Sequence, residues 1–273
     1  MDTLVQNIRQ ELYKTLQDVD NPESVNLLLA VSGGKDSMVL AHAFLELSQK
    51  FGIVHFNFKL RGDASDLDEG LVRRFCDKNQ IPFYTRSEDT ITWARERKLS
   101  TQEAARELRY TFFEEVLDDH SFDFVCTAHH GNDQLETFFI NLFRGSGLKG
   151  LTGIPQIRDR IIRPMLWIPH QEIQRFARDF QVEYREDESN QSDKYLRNRI
   201  RHQIIEPLTD SQPAYLSKAL DSLNLLVEYQ SYIKLQLKLF RKHNVWQPSP
   251  DIRKFTLYKE HLTDPAGLFL IKL

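Results

Sequence analysis

Leu4, Ile8, Leu12 and Leu16 recur at helical spacing and predict a helix over 2–18, ended by Asn21 and Pro22. Residues 25–31, VNLLLAV, are a short and nearly unbroken apolar run of the kind a strand buried on both faces carries. Further strands are expected at Ile53–Phe58, Pro82–Arg86 and Phe122–Thr127. Helices are expected at Met38–Leu47, Asp66–Lys78, Thr101–Leu117 and Asp133–Phe143. This alternation predicts an α/β fold, a parallel twisted sheet with helices on both faces. Ligands of such sheets bind beyond the carboxyl ends of the strands.

After glycines at 145, 147 and 150 the pattern changes. Residues 161–167 read as a short β-like stretch between prolines, 170–181 as a helix, and 185–192 as a polar loop. From Tyr195 onward the chain reads largely helical, with a long amphipathic helix over 216–239. A break at 207–213 divides the expected domains, 1–207 for catalysis and 208–273 as a small, mainly helical region. The chain stops inside the apolar stretch AGLFLIKL, which is read as a truncated C-terminal region.

The chain has 273 residues, enough for one large domain and a small one. It is 41% hydrophobic and 27% charged, an ordinary soluble composition. No apolar run is long enough to cross a bilayer, and the acidic N-terminus is unlike a signal peptide, so a cytoplasmic location is expected. Cys76 and Cys126 form no CxxC and read as reduced thiols. A net charge of −3 leaves RNA binding open, because phosphate contacts need only a local basic face.

The chemistry concentrates in two places, each just after a predicted strand. Ser32-Gly33-Gly34-Lys35-Asp36-Ser37 joins a strand to a helix. Two glycines let successive N–H groups converge, the helix start favours an anion, and the two hydroxyls and Lys35 add donors for phosphate. Asp36 suits a Mg²⁺ that bridges phosphates. A Gly-Gly turn alone would be unremarkable, but six agreeing positions between a strand and a helix are specific. This is not GxxxxGK[ST]. It resembles the SGGKDS signature of PP-loop (N-type) ATP pyrophosphatases, which implies an adenine-nucleotide α-hydrolase-like fold, ATP as substrate and cleavage between its α- and β-phosphates.

Other segments are similar to the tRNA-lysidine synthetase branch of that superfamily. Ala128-His129-His130-Gly131-Asn132-Asp133-Gln134-Leu135-Glu136-Thr137 resembles its AHHxDDQxET motif, and RGSGLKGLTGI at 144–154 the RGSGxxGLxGI that follows. QEAARELRY at 102–110 and Tyr184–Arg201 look like its EAARxxRY helix and YREDxSNxxxxYxRNxIR segment. Phe58 stands where the family often has a second histidine, and Asn132 where it has the first aspartate of a pair. The resemblance spans the strand before Ser32 to about residue 207.

It implies lysine ligation to C2 of cytidine 34 in a tRNA(Ile) with a CAU anticodon, through an adenylated cytidine. ATP and Mg²⁺ would bind at residues 32–37 with Ala30, Val31 and His55 beside adenine, and Asp36 and Asp133 would hold the metal. Lys35 would stabilise the departing pyrophosphate. His129 would hold or deprotonate free lysine, Glu136 attract its ammonium end and Arg201 hold its carboxylate. Arg106, Arg109, Lys194 and Arg197 lie in basic stripes, which are usually just solvated but also suit tRNA phosphates. A homodimer is left open. The runner-up within the enzymes is a tRNA 2-thiolase; the alternative of another class is an inactive nucleotide- or RNA-binding module.

Overall fold

A computed structural model describes residues 2–17, 19, 21–47, 49–186, 196–212, 214–248 and 255–257, with the side chains described as far as residue 239 apart from Glu23. The described chain divides into two compact units. One comprises Met1–Ile140 with Ile154–Leu220, the other Asn141–Gly153 with Asp221–Leu273.

The first unit is built on a six-stranded sheet. Its strands are β1 (Leu27–Ala30), β2 (Phe51–Asn57), β3 (Phe83–Ser87), β4 (Phe124–Cys126), β5 (Ile157–Arg158) and β6 (Ile161–Ile162), in the order 3-2-1-4-6-5. All neighbours are parallel except the β5–β6 pair at one edge. The helices that cover it are α1 (Thr3–Thr15), α2 (Lys35–Glu46), α3 (Asp63–Asn79), α4 (Thr90–Arg97), α5 (Thr101–Asp119), α6 (Gly131–Phe143) and α8 (His170–Asp179).

Side chains alternate along each strand, so the apolar run of β1 serves two cores. Leu27 and Leu29, with Ile53 and Cys126, pack with α1, α2, α3 and α8 on one face. Leu28, Val54, Phe56 and Val125 meet Phe112, Phe113, Val116 and Leu117 of α5 on the other. Local signals set the helix starts. Asp2 accepts from Leu4 N at 2.7 Å, and Ser100 and Glu103 form a reciprocal capping box at the start of α5.

Three elements differ from the sequence reading. Helix α4 was not expected; Asp89 caps it by accepting from the amides of Ile91 and Thr92, although it buries only Thr90 and Ala94. The stretch expected to be β over 161–167 is a strand only at Ile161–Ile162, after which turn bonds such as Ile168 N to Met165 O curl the chain. The region read as helical from 195 contains α9 (Leu196–Ile200), a π-helical turn at Arg201–Ile205, α10 (Glu206–Ser211) and α11 (Ala214–Asn244), but also the antiparallel pair β7 (Val245–Pro248) and β8 (Phe255–Leu257). In the second unit, α7 (Leu148–Leu151) follows Gly147, and Gln230 donates to the Thr152 hydroxyl at 3.3 Å.

A candidate nucleotide site at the topological switch point

From the central strand β1 the chain goes outward to β2 and β3 on one side and to β4 and β6 on the other. The connections leaving the carboxyl ends of β1 and β4 therefore diverge, and a crevice opens between them. The two motif segments are those connections. A cavity of about 800 Å³ lies there, a volume within the range of small-molecule sites.

On the β1 side, Gly33 has φ +90°. A side chain is disfavoured there twice over: by the backbone, and because a Cβ would sit 3.3 Å from Asp68 Cβ and O. Ser37 locks the turn by donating to Gly34 O at 2.9 Å and accepting from Ser32 N at 3.1 Å. Gly34 N–H is 3.3 Å from Ser32 Oγ. Gly34 is the N-cap of α2 and offers no side-chain cap, so the first amides of that helix face the cavity with its positive dipole end. Lys35 lies over the Tyr184 ring at 4.9 Å and 3.8 Å from the exposed Glu186 carboxylate.

On the β4 side, Gly131 N donates to Ile168 O at 2.8 Å, and a Cβ on Gly131 would lie 3.0 Å from that oxygen. This backbone approach brings the start of α8 onto the start of α6. His170 N then donates to Asn132 Oδ1 at 3.3 Å, and the His170 and His130 rings stack at 4.7 Å. Asn132 thus has a part without a negative charge, capping α8.

Asp36 Oδ2 is 3.5 Å from His130 Nε2 and its Oδ1 is 3.2 Å from His170 Nε2. Asp133 Oδ2 accepts from His130 N at 3.0 Å and lies 3.6 Å from His130 Nε2. His130 Nδ1 faces the Asn132 amide at 3.3 Å, and its Nε2 lies between the two carboxylates. Burial disfavours the charge of Asp36, but the close approach of His130 and His170 outweighs it and holds the carboxyl far below its usual range. Burial likewise opposes a charge on His130, and Asp133 and Asp36 override it and raise its pKa.

Asp36 and Asp133 both bring carboxylate oxygens to His130 Nε2. Asp36 Oδ1 is buried and accepts no aligned hydrogen bond, and both acids flank one ring nitrogen. Hard oxygen donors of this kind suit Mg²⁺. Among the described residues, the side chains whose ligand atoms lie close enough to share a metal are Asp36, His130 and His170.

His129 Nδ1 is 2.9 Å from Thr127 Oγ1, and burial pushes its pKa down to about 4. Its folded value therefore lies below the ordinary 6.5. The unfolded chain binds the extra proton between these values, so the resulting stability is complete above about 6.5 and is lost as pH falls toward 4. Urea titrations across that window should show wild-type protein losing more stability than His129→Gln, whose amide takes no proton; parallel curves would exclude an imidazole held neutral by the fold.

Glu136 is fully buried. Arg201 Nε donates to its Oε1 at 2.6 Å, while Arg197 Nε lies 3.0 Å from Oε2 without hydrogen-bond alignment. Arg201 also reaches toward Asp133 Oδ1 at 3.9 Å, and Arg197 donates to Thr137 Oγ1 at 2.8 Å.

The cavity wall includes Ala30, Ser32, Gly34, Lys35, Asp36 and Ser37 from the first motif, and His129, Asp133 and Arg201 beyond it. Arg109, over the Phe58 ring at 5.2 Å, also lines it. Other expectations need correction. His55 points to the opposite face of β2, where Nδ1 meets Val31 O at 2.8 Å, and Val54 and Phe56 take its place on the wall. Glu136 stands behind the wall, its carboxylate engaged by two arginines, with no face for an ammonium group. Arg197 is held by Glu136 and Thr137 and is not a free surface cation. Arg106 stacks on Tyr110 at 4.6 Å, off the cavity lining. Lys194 lies outside the described residues. His170 and Asp68 were not foreseen, because tertiary packing alone brings them to the site.

Residues 4–208 match the model of the PP-loop domain family. The tRNA(Ile)-lysidine synthase of Chlorobaculum tepidum is 41% identical over 207 residues, covering 74% of this chain and 62% of that protein. The tRNA(Ile)-lysidine synthase of Petrotoga mobilis is 34% identical over 236 residues, covering 85% and 76%. That of Porphyromonas gingivalis is 40% identical, and the chain spans only 42% of its length. Among solved structures, the U34-tRNA thiolase NcsA of Methanococcus maripaludis with its [4Fe-4S] cluster superposes with a TM-score of 0.62. It is 18% identical, with 82% of this chain and 79% of that one covered, a likeness of fold alone. A PP-loop match across three quarters of the sequence, and a relative matched over most of its own length, place the chain in the tRNA(Ile)-lysidine synthase family of PP-loop proteins.

Proposed function

We propose that this chain carries the catalytic part of an ATP-dependent ligase that joins free lysine to C2 of cytidine 34 in a tRNA(Ile) with a CAU anticodon. The observation that carries the reading is the convergence of the Ser32–Ser37 turn and the His129–Asp133 segment on one cavity at the switch point. The cytidine C2 oxygen attacks the α-phosphate of ATP, and the bond to the β-phosphate breaks to release pyrophosphate. The amides at the start of α2, with Lys35, stabilise the charge that develops on it. Lysine's neutral amine then attacks C2, AMP leaves, and the amine's surplus proton is lost. When bound, Mg²⁺ at Asp36 and Asp133 supplies positive charge to the phosphates.

His129, neutral and half-buried, is suited to accept a hydrogen bond from the lysine amine; its low basicity makes it a holder and not a strong base. Arg201 keeps one edge on Glu136 and turns toward the cavity, where the lysine carboxylate would bind. An anticodon loop suits such a site because its base is already unpaired and reachable. Arg109 and Arg106, next to Phe58 and Tyr110, offer cations and aromatic faces to the flanking nucleotides. Residues 208–273 are assigned to tRNA contacts and residues 1–207 to the chemistry, acting in the cytoplasm. Among the described residues no helix is long and apolar enough to cross a membrane.

Thiolase chemistry is disfavoured by the two thiols. Cys76 and Cys126 are buried in the sheet core and do not line the cavity. Burial pushes Cys76 up to about 12 and Cys126 higher still, so neither is a ready thiolate. Incubation with tRNA(Ile) transcript, ATP, Mg²⁺ and labelled lysine, followed by nucleoside analysis, should place the label on cytidine 34. Incorporation of sulfur in a parallel reaction, or ATP and tRNA binding without tRNA-dependent pyrophosphate release, would overturn the proposal.

A further inference from the structure

The acids that line the cavity are Asp36, Asp68, Asp133, Glu186 and Glu206. The first four already face a cation. Asp36 and Asp133 approach His130, Asp68 is held by Arg61 and Arg185, and Glu186 faces Lys35. Glu206 is exposed, and its carboxylate has neither an ion-pair nor a hydrogen-bond partner among the described residues.

The backbone sets its place. Glu206 N–H donates to Arg201 O across the π-helical turn, a bond between residues five apart. In an α-helix, at 3.6 residues per turn, two such residues stand about 140° apart around the axis. The wider turn brings them toward one side, and both line the cavity. The helix runs unbroken from α9 through this turn into α10, so Glu206 does not serve the dipole of a free helix start.

An exposed acid is ordinarily left to water. Here it shares a cavity wall with an arginine, and a cation beside an acid matches the zwitterionic end of an amino acid. ATP, pyrophosphate and tRNA are anions, which Glu206 repels. Lysine is the one organic cation of the proposed reaction, and its α-ammonium is one carbon from its carboxylate. Glu136 stands behind the wall and cannot reach that group.

We propose that Glu206 is the binding residue for the α-ammonium of lysine, and that with Arg201 on the carboxylate it clamps the α end of the amino acid. The flexible four-carbon stem then carries the side-chain amine toward His129. This rests on the reading that the cavity binds lysine.

The test is lysine transfer by the whole chain with tRNA(Ile) transcript, ATP and Mg²⁺. In Glu206→Gln the Michaelis constant for lysine should rise about tenfold, the loss of one charge-assisted contact, with kcat and the constant for ATP within about twofold of wild type. The second substrate is 6-aminohexanoate, which is lysine without the α-ammonium. Wild type should prefer lysine by about tenfold or more in kcat/KM, and Glu206→Gln should reduce that preference to about twofold by losing lysine use alone. Glu206→Asp, which keeps the charge, should restore most of the preference. General loosening of the wall would slow both substrates alike and leave the ratio unchanged. An unchanged ratio in folded Glu206→Gln, or no preference in wild type, would overturn the clamp while leaving the proposed reaction standing. Calorimetric lysine binding that depends on Glu206, without transfer to tRNA, would retain the clamp and refute the reaction. Wild type that neither binds nor transfers lysine would overturn both.

Discussion

Asp133→Asn should lower tRNA-dependent pyrophosphate release by roughly 10³-fold, the scale seen when a preorganised charge-stabilising group is lost. The side chain is nearly isosteric, and its remaining oxygen can still accept from His130 N, the bond Asp133 makes at 3.0 Å. The helix start should therefore survive. What disappears is the second negative charge facing His130 Nε2 and, with it, the pair of acids that a divalent cation would use. Asp36→Asn should have a similar effect. The double variant should be little worse than either single one, because the two acids would act on the same cation. Single-turnover measurements alongside melting curves check this. Near wild-type release by a folded Asp133→Asn protein would remove Asp133 from the chemistry.

Glu136→Ala should show its effect first in stability. Removing a buried carboxylate leaves Arg201 and Arg197 facing each other across a cavity, and stranding a buried ion-pair partner costs about 3–5 kcal/mol. Both arginines are partly exposed, 26% and 43%, so water recovers part of that and the lower end, about 3 kcal/mol, is expected. Urea unfolding should show a lower midpoint with an unchanged slope. If Glu136 instead contacted lysine directly, the variant would keep its stability and lose only lysine affinity.

The sheet was legible because β1, β2 and β4 carry compact apolar runs bounded by turn residues, and a strand buried on both faces needs no alternation to be seen. The phosphate-type turn was legible because its six residues are contiguous. What sequence could not give was the meeting of distant segments. His170 lies 40 residues after His130 and carries no signal beyond its place at a helix start. Asp68 looked like one more acid in the first turns of α3. His55 could have been placed better: alternation along β2 sends Val54 and Phe56 to one face and His55 to the other. Glu136 was read as ligand-facing because a sequence shows charges but not that Glu136 and Arg201 satisfy each other. Helix α4 escaped because only two of its residues are buried, leaving a faint periodicity.

The central position of β1 bears on how the protein is made. Its partners arrive far apart in the chain: Leu27 pairs with Phe51 on one side and with Phe124 on the other. A ribosome extruding this polypeptide therefore exposes a half-finished sheet, with the second edge of Leu27–Leu29 open until β4 emerges. Unpaired apolar edges of this kind invite intermolecular strand pairing. Arrested nascent chains ending before residue 124 should thus depend on chaperones far more than those ending past β6.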